Sequence, residues 1–390
     1  MHAHGILSSQ LLRSHTHTPR ARHVAAHKST SPSREVLARA RTMAYASRAP
    51  TAATAPPRVV TPVPDEDTGF RVLLTNDDGI HARGLACLAA ALHADGTYDV
   101  RVVAPHTEQS ACGHSITLSG NLEARTAADG RNLGLPTTFA VPAASVRGTP
   151  ADCVKLATTS ALLGTWRPQL VVSGINRGPN FGLCTVVSGT CAAARQASWQ
   201  GFPSIAASLD CFARDADYEA AAKALLPVIA AVRSAAADGT WPTRVYVNVN
   251  LPDARHCPAY TDFLGMEHAC GPVRGVRIAP LSEAGVVDEY VQQSDQLPPG
   301  GDAAAAWEQW KLVNARSEVA KGGAELTYLA AGYAVVSPVS LRPGDADERR
   351  AAAILRRRVP GVGGSGVSAA TLAAIGVAAL AALALARSRL

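Results

Sequence analysis

"RVLLTNDDGIHARG", residues 71–84, is the stretch whose reading decides the fold. An apolar run ends in two adjacent carboxylates, Asp77 and Asp78, and then Gly79. Neighbouring carboxylates repel unless water, hydrogen-bond donors or a cation stabilise them. "NDDG" is also a good solvated turn. Which reading holds depends on what the rest of the chain brings to this turn. The run itself, "FRVLLT" (70–75), reads as a short buried strand of the kind found in parallel sheets.

Working outward, strands and helices alternate. Residues 83–95 carry Leu85, Leu88 and Leu92 at helical spacing, and "YDVRVVAP" (98–105) is a second strand stopped by Pro105. Residues 120–147 look like irregular strands of a small insertion. "PADCVKLATTSALL" (150–163) opens with a proline and reads as a helix. "PQLVVSGIN" (168–176) is a buried strand, 188–200 a helix and 203–209 a strand. Residues 217–238 form a long helix in which Pro227 predicts a kink or break, and 244–252 alternate like a strand. Beyond 253 regularity fades: 281–323 look loop-like, and 324–341 look like a hairpin punctuated by Gly332 and Pro338. The alternation predicts an α/β fold, a Rossmann-like, doubly wound, mostly parallel sheet with an irregular C-terminal extension.

The 390 residues carry a net charge of +6, but that charge is unevenly placed. Residues 1–64 hold eight Arg and one Lys against the single acid Glu35, so the remainder sums to −2. The basic balance therefore argues for no nucleic-acid polymer as partner. Residues 1–68 are Arg-rich, Ser-containing and acid-poor, the composition of a transit leader to a chloroplast or mitochondrion. A folded domain is expected over 69–345, a basic, Gly-rich linker over 346–366 and an apolar tail over 367–390. Within that tail, 367–386 lack any charge and are long enough to touch or span a membrane. The terminal "SRL" resembles a peroxisomal address, so tail-anchored, peroxisomal and cytoplasmic placements stand beside the organellar one. The eight cysteines show no CxxC pair and read as free thiols of a reducing compartment.

In an open α/β sheet, ligands sit outside the carboxyl ends of the strands. Asp77 and Asp78 follow the first strand, Ser110 lies in the loop after the second, and Asn176 follows "LVVSGI". Parallel neighbours would bring these loops to one rim. Two carboxylates, a hydroxyl and an amide oxygen are hard ligands that suit Mg²⁺, Mn²⁺ or Ca²⁺ rather than zinc. "VSGTCAAARQA" (187–197) opens a helix with Ser188, Gly189 and Thr190. That N-terminus can cradle a phosphate, or Ser188 and Thr190 can simply cap the helix.

At these residues the chain resembles the survival protein SurE family of metal-dependent nucleotidases. The matching pieces are "RVLLTNDDGIHARGL", "VVAPHTEQSACGHSIT", "GTPADCVKLA" and "VVSGINRGPNFG" followed by "SGTCAAA", in family order over about residues 70–210. A looser match, "AGYAVVSPVSL", returns at 331–341. The resemblance implies hydrolysis of nucleoside monophosphates, 5′ and in some members 3′, with one divalent cation, Mg²⁺ or Mn²⁺. It implies a homodimer or higher homo-oligomer. It maps the metal ligands onto Asp77, Asp78, Ser110 and Asn176, with Asp77 and Asp78 also catalytic. Substrate and phosphate contacts fall on Asn76, His114, Asn180, Ser188, Gly189 and Thr190. His114 fits a plant or algal branch of the family. Val187 stands where the family usually has Tyr, Gln196 where Glu is common, and Leu183 and Cys184 where bacterial members are acidic. These departures bear on rate and substrate preference.

Two other functions compete. A dinucleotide-dependent oxidoreductase would need a GxGxxG after the first strand, and "TNDDGIHARG" lacks one. A catalytically weak nucleotide-binding or membrane-associated SurE-like protein would fit the altered motif positions and the apolar tail.

Overall fold

The computed structural model describes residues 69–256, 271–292, 310–318, 323–342 and 346–362. In chain order the strands are β1 (Phe70–Thr75), β2 (Tyr98–Pro105), β3 (Glu123–Ala127), β4 (Ala143–Arg147), β5 (Leu170–Arg177), β6 (Ser204–Asp210), β7 (Val245–Pro252), β8 (Val276–Ile278), β9 (Gly285–Gln292), β10 (Trp310–Glu318) and β11 (Ala334–Ser340). The helices are α1 (Arg83–Asp95), α2 (Pro150–Thr159), α3 (Cys184–Val187), α4 (Gly189–Trp199), α5 (Tyr218–Ala237), α6 (Ala324–Ala330) and α7 (Ala346–Arg358).

One sheet has the order β3-β4-β2-β1-β5-β6-β7-β11-β8. Pairing is parallel from β4 through to β7, while β3 and β11 pair antiparallel with β4 and β7. Successive side chains of each strand point to opposite faces, and both faces are covered, which is why the strands read as unbroken apolar runs. Val72, Leu74, Val102, Val172 and Ile205 belong to one buried cluster with α1 and α5. Leu73, Val103 and Val171 belong to another, with Cys153 and Val154 of α2 and Ala193 and Ala197 of α4. The small alanines let α4 lie close to the sheet beneath α2. Gly84 does the same for α1: a Cβ there would run into the carbonyl oxygen of Ile175 on β5.

The doubly wound, mostly parallel sheet expected from the alternation is the observed fold. Four local expectations are corrected. Residues 120–147 are not an insertion, because β3 and β4 extend the main sheet. The stretch expected to be loop-like, 281–323, contains the antiparallel pair β9–β10. The expected hairpin at 324–341 is α6 followed by β11, since Leu326, Leu329 and Ala330 bury one helical stripe. The linker expected from 346 begins with α7, whose Ala351, Ile354 and Leu355 enter the main core. Helix α5 runs unbroken through Pro227. Burial of Leu225, Val228, Ile229 and Val232 holds it together across the missing backbone bond. This is also the described helix long and apolar enough to cross a membrane, and its buried face accounts for its composition. Among the described cysteines, Cys87, Cys112, Cys153, Cys191 and Cys211 are free thiols. Residues 1–68, expected to be a leader, and residues 363–390, which include the expected tail 367–390, lie outside the described residues.

Candidate active site

Strand order reverses between β1 and β5: β2 and β4 lie on one side, β6 and β7 on the other. Crevices that take ligands form at such a switch point, outside the carboxyl ends of the strands. The turn that follows β1 carries Asn76, Asp77 and Asp78, and Asn176 is the next-to-last residue of β5.

The loops meet through their backbones. The Gln109 amide donates to the Asp77 carbonyl at 2.7 Å, and Ile80 N donates to the Pro105 carbonyl at 2.8 Å. Arg177 N donates to Asp78 Oδ2 at 3.1 Å. Gly113 N donates to the Val187 carbonyl at 2.8 Å, joining the loop after β2 to the turn before α4. Ser110 and Asn176 are thus each one residue from a group bonded to the acidic pair.

Asp77 is only 4% exposed, so the acidic doublet is not simply a solvated turn. Its carboxylate is held at the N-terminus of α4. Thr190 N donates to Asp77 Oδ2 at 3.0 Å and Thr190 Oγ1 to Asp77 Oδ1. The helix dipole favours an anion here. Burial nonetheless raises the Asp77 pKa above 3.8, against the lowering effect of both Thr190 bonds. Burial and then the charge of Asp77 push Asp78 up to about 7. Gly189 makes the approach feasible: a Cβ there would lie 2.8 Å from Asp77 Cβ and 3.0 Å from Cys112 Sγ.

The other expected site residues fall into distinct settings. Ser188 Oγ accepts from Cys191 N at 3.1 Å, so it caps α4. The helix amide left over by Ser188 and Thr190 is that of Gly189. Asn76 is fully buried; its Nδ2 donates to the Gly79 carbonyl at 2.9 Å and its Oδ1 has no partner. Asn176 Nδ2 donates to the Gly178 carbonyl at 2.8 Å, which commits its nitrogen and leaves its oxygen. Ser110 is exposed and donates to Glu108 Oε1 at 2.8 Å. His114 Nε2 lies 3.0 Å from Gln196 Oε1, and the ring stands edge-on to Trp199. Burial lowers the His114 pKa below 6.5. Asn180 is drawn below the crevice: its Nδ2 donates to Ser208 Oγ at 2.8 Å, and its carbonyl accepts from Asn248 and Asn250.

Three supporting residues were not anticipated. Asp152 caps α2 in a reciprocal box with Thr149 and also accepts from Thr117 N at 2.9 Å and Thr117 Oγ1 at 2.7 Å. It thereby anchors the far end of the loop carrying Ser110 and His114. The "TPAD" spacing of a capping box is the signal that could have found it. Glu325 of α6 is fully buried and accepts from Gly182 N at 3.1 Å and Ser282 N at 2.8 Å, tying the C-terminal segment to the loop after β5. Glu108 adds a third negative charge felt by Asp77 and Asp78.

Among the described residues no group of three or more His, Cys, Asp or Glu side chains is arranged to hold a metal. The expected ligand set contains only two carboxylates, so its remaining oxygens must come from a hydroxyl and an amide. The residues present fit a hard dication. Two acids, Asp77 buried and Asp78 half-buried, resist joint ionisation without one, and the buried Asn76 Oδ1 beside them has no partner.

Fold and site together define a Rossmann-like α/β protein with an acidic crevice at its switch point, backed by the N-terminus of a buried helix. Comparison with known proteins narrows this class. The family model described as "Survival protein SurE" matches residues 72–270. "5′-nucleotidase SurE" of Parasynechococcus marenigrum (strain WH8102) is 37% identical over 254 residues, covering 65% of this chain and 83% of that protein. The chain belongs to the SurE family. The proteins of the same name from Prochlorococcus marinus (strain MIT 9303) and Carboxydothermus hydrogenoformans are 41% and 43% identical over 185 and 188 residues. Each alignment takes in 47% of this chain, and the chain covers 64% and 65% of their lengths. The crystal structure of the SurE protein from Aquifex aeolicus is 28% identical, with a TM-score of 0.49, over 70% of this chain and 95% of that one.

Proposed function

We propose that the protein is a divalent-metal-dependent phosphatase that hydrolyses nucleoside 5′-monophosphates, with 3′-monophosphates as further candidate substrates. The observation that carries this reading is the acidic pair at the switch point, Asp77 buried and Asp78 half-buried, in a chain of the SurE family. Asp77, Asp78, Ser110 and Asn176 would hold one Mg²⁺ or Mn²⁺, which would neutralise phosphoryl charge and lower the pKa of a bound water. Thr190 fixes Asp77 before substrate arrives, so its charge needs no reorganisation. Asp78 uses Oδ2 for the Arg177 amide and keeps Oδ1 to orient the attacking water. The Gly189 amide, with Ser188 and Thr190 beside it, receives a phosphate oxygen at the positive end of α4. His114 lines the substrate, the fully buried Asn76 braces the turn that carries the acidic pair, and Asn180 supports the loop from below.

Phosphate release from the purified full chain, with a panel of nucleotides and with Mg²⁺, Mn²⁺ or EDTA, tests this reading. Release only with a dication supports it. Nucleotide binding without release would favour the catalytically weak alternative, to which the exposed Val187 and Leu183 beside α4 lend weight.

The remaining assignments belong to the same proposal. The protein is a homo-oligomer, supported by the exposed Tyr290, Trp310 and Leu312 on β9 and β10 and tested by sedimentation. Membership of a plant or algal branch is part of this proposal, supported by His114 in "GHSIT". Residues 1–68 direct it to an organelle and 367–386 contact a membrane, which imaging of an internally tagged full chain would test.

A further inference from the structure

We infer that the pocket between His106, Glu123, Arg125, Ser145 and Arg147 is a second anion site, separate from the acidic crevice, that takes a phosphate group. The register of β3 on β4 sets Glu123 opposite Arg147 and Arg125 opposite Ser145. Alternation along both strands then puts these four side chains on one face of the sheet. With His106 they line a cavity of about 240 Å³.

Its charges are unbalanced. Glu123 is already engaged, accepting from Arg147 Nη1 at 2.6 Å. Arg125 has no hydrogen-bond or ion-pair partner among the described residues. Ser145 is 6% exposed, and its hydroxyl lies 3.1 Å from His106 Nδ1. That contact occupies Nδ1, and Nε2 has no hydrogen-bond partner among the described residues. A surplus guanidinium faces one small cavity together with one further donor, His106 Nε2–H when Ser145 donates to Nδ1 or the Ser145 hydroxyl when Nδ1 donates to it, and the two form a donor set for a phosphate. Charge on an edge strand commonly discourages pairing with other chains. That role explains exposed Arg and Glu on β3, but not the buried Ser145 paired with His106 across the same cavity.

The pocket also touches the loop that serves the crevice. His106 N donates to the Val146 carbonyl at 2.7 Å, and three residues on Gln109 bonds to Asp77. Ser110 is within about 14 Å of His106, the reach of four extended residues. A phosphate bridging His106 and Arg125 would brace this loop against β3 from the side away from Asp77. Free phosphate and a small phosphomonoester offer the same oxygens, and size separates them.

Calorimetric titration of the full chain in EDTA, in sulfate-free buffer, tests the site without any need for turnover. Inorganic phosphate is one arm and ribose 5-phosphate the other. Saturable binding is expected in at least one arm. Arg125→Ala should weaken it about tenfold or more, whereas Arg125→Lys retains most of it. Arg177→Ala, which removes the cation beside Asp78, should leave it unchanged. Absence of saturable binding in both arms overturns the inference. So does binding that survives Arg125→Ala, or that Arg177→Ala removes, since it would then belong to the crevice. None of these results depends on the hydrolysis proposed above.

Discussion

Asp77 and Thr190, 113 residues apart in sequence, are joined twice: the Thr190 amide reaches Asp77 Oδ2 at 3.0 Å, and its hydroxyl bonds Oδ1. The N-terminus of α4 therefore carries a resident carboxylate. Thr190→Val keeps the amide bond and the side-chain shape but deletes the hydroxyl. A buried hydrogen bond to a charged group is worth about 1.5–3 kcal/mol. Denaturant unfolding should show a loss in that range, and dication-dependent phosphate release should fall about tenfold as Asp77 loses its fixed orientation. Thr190→Ser should recover both. An unchanged Thr190→Val enzyme would show that Asp77 needs no fixing.

Asp77→Asn and Asp78→Asn separate chemistry from folding. Each should lose dication-dependent phosphate release by about 100-fold or more, since one carboxylate cannot replace the pair. Asp78 has a pKa of about 7 because burial and Asp77 oppose its charge. At pH 8 without metal the charged form is therefore a net cost. Thermal melts in EDTA at pH 8 should show Asp78→Asn at least as stable as the wild type. Turnover at the wild-type level in either variant would remove these residues from the active site.

Gly189→Ala tests how closely helix and acid must approach. A Cβ at 2.8 Å from Asp77 Cβ cannot be absorbed by a flexible side-chain end. Overpacking of this kind costs about 1–3 kcal/mol. Phosphate release should fall with little change in the far-ultraviolet circular dichroism spectrum, because α4 itself tolerates alanine well. Full activity would mean that the contact between α4 and Asp77 is looser than described.

What was legible in the sequence follows from which interactions are local. Strands β1 and β2 were read at their observed bounds, because each is an apolar run closed by turn residues. Asp77 and Asp78 stood out because adjacent acids after a buried strand require an explanation. β3 was not legible: its burial pattern is almost wholly exposed, so no apolar alternation marks it as part of the main sheet. The helix α6 was misread because the alternation of β11, just beyond Gly332, colours the whole stretch. Thr190 was recognised as a phosphate or cap residue, but its bond to Asp77 depends on the strand order and leaves no local trace. Glu325 is legible in neither way, being a lone acid whose partners Gly182, Ser282 and Asn250 arrive from three other segments.

Asp210, at the end of β6, is fully buried and neither carboxylate oxygen has a partner among the described residues. Burial first, and the nearby charge of Asp253 second, raise its pKa well above 3.8. The sign of the effect on stability follows from proton counting. Above the ordinary carboxylate pKa the unfolded chain has released this proton while the folded chain still holds it. Stability therefore falls as pH rises from about 4 towards the folded-state pKa, and the cost vanishes only below about 4, where both states hold the proton. Asp210→Asn removes the titration. Its Tm should exceed that of the wild type at pH 7.5 by at least about 2–4 °C, the shift that 1 kcal/mol gives in a domain of this size, and the gap should close near pH 4. Asp253→Asn should instead lower the Tm at pH 7.5, because an amide has one oxygen to offer where Asp253 accepts from Arg255 N at 2.7 Å, Asp217 N at 2.8 Å and His256 N at 2.9 Å. A gap between Asp210→Asn and wild type that is the same at pH 4 and pH 7.5 would mean that Asp210 has a partner which stabilises its charge.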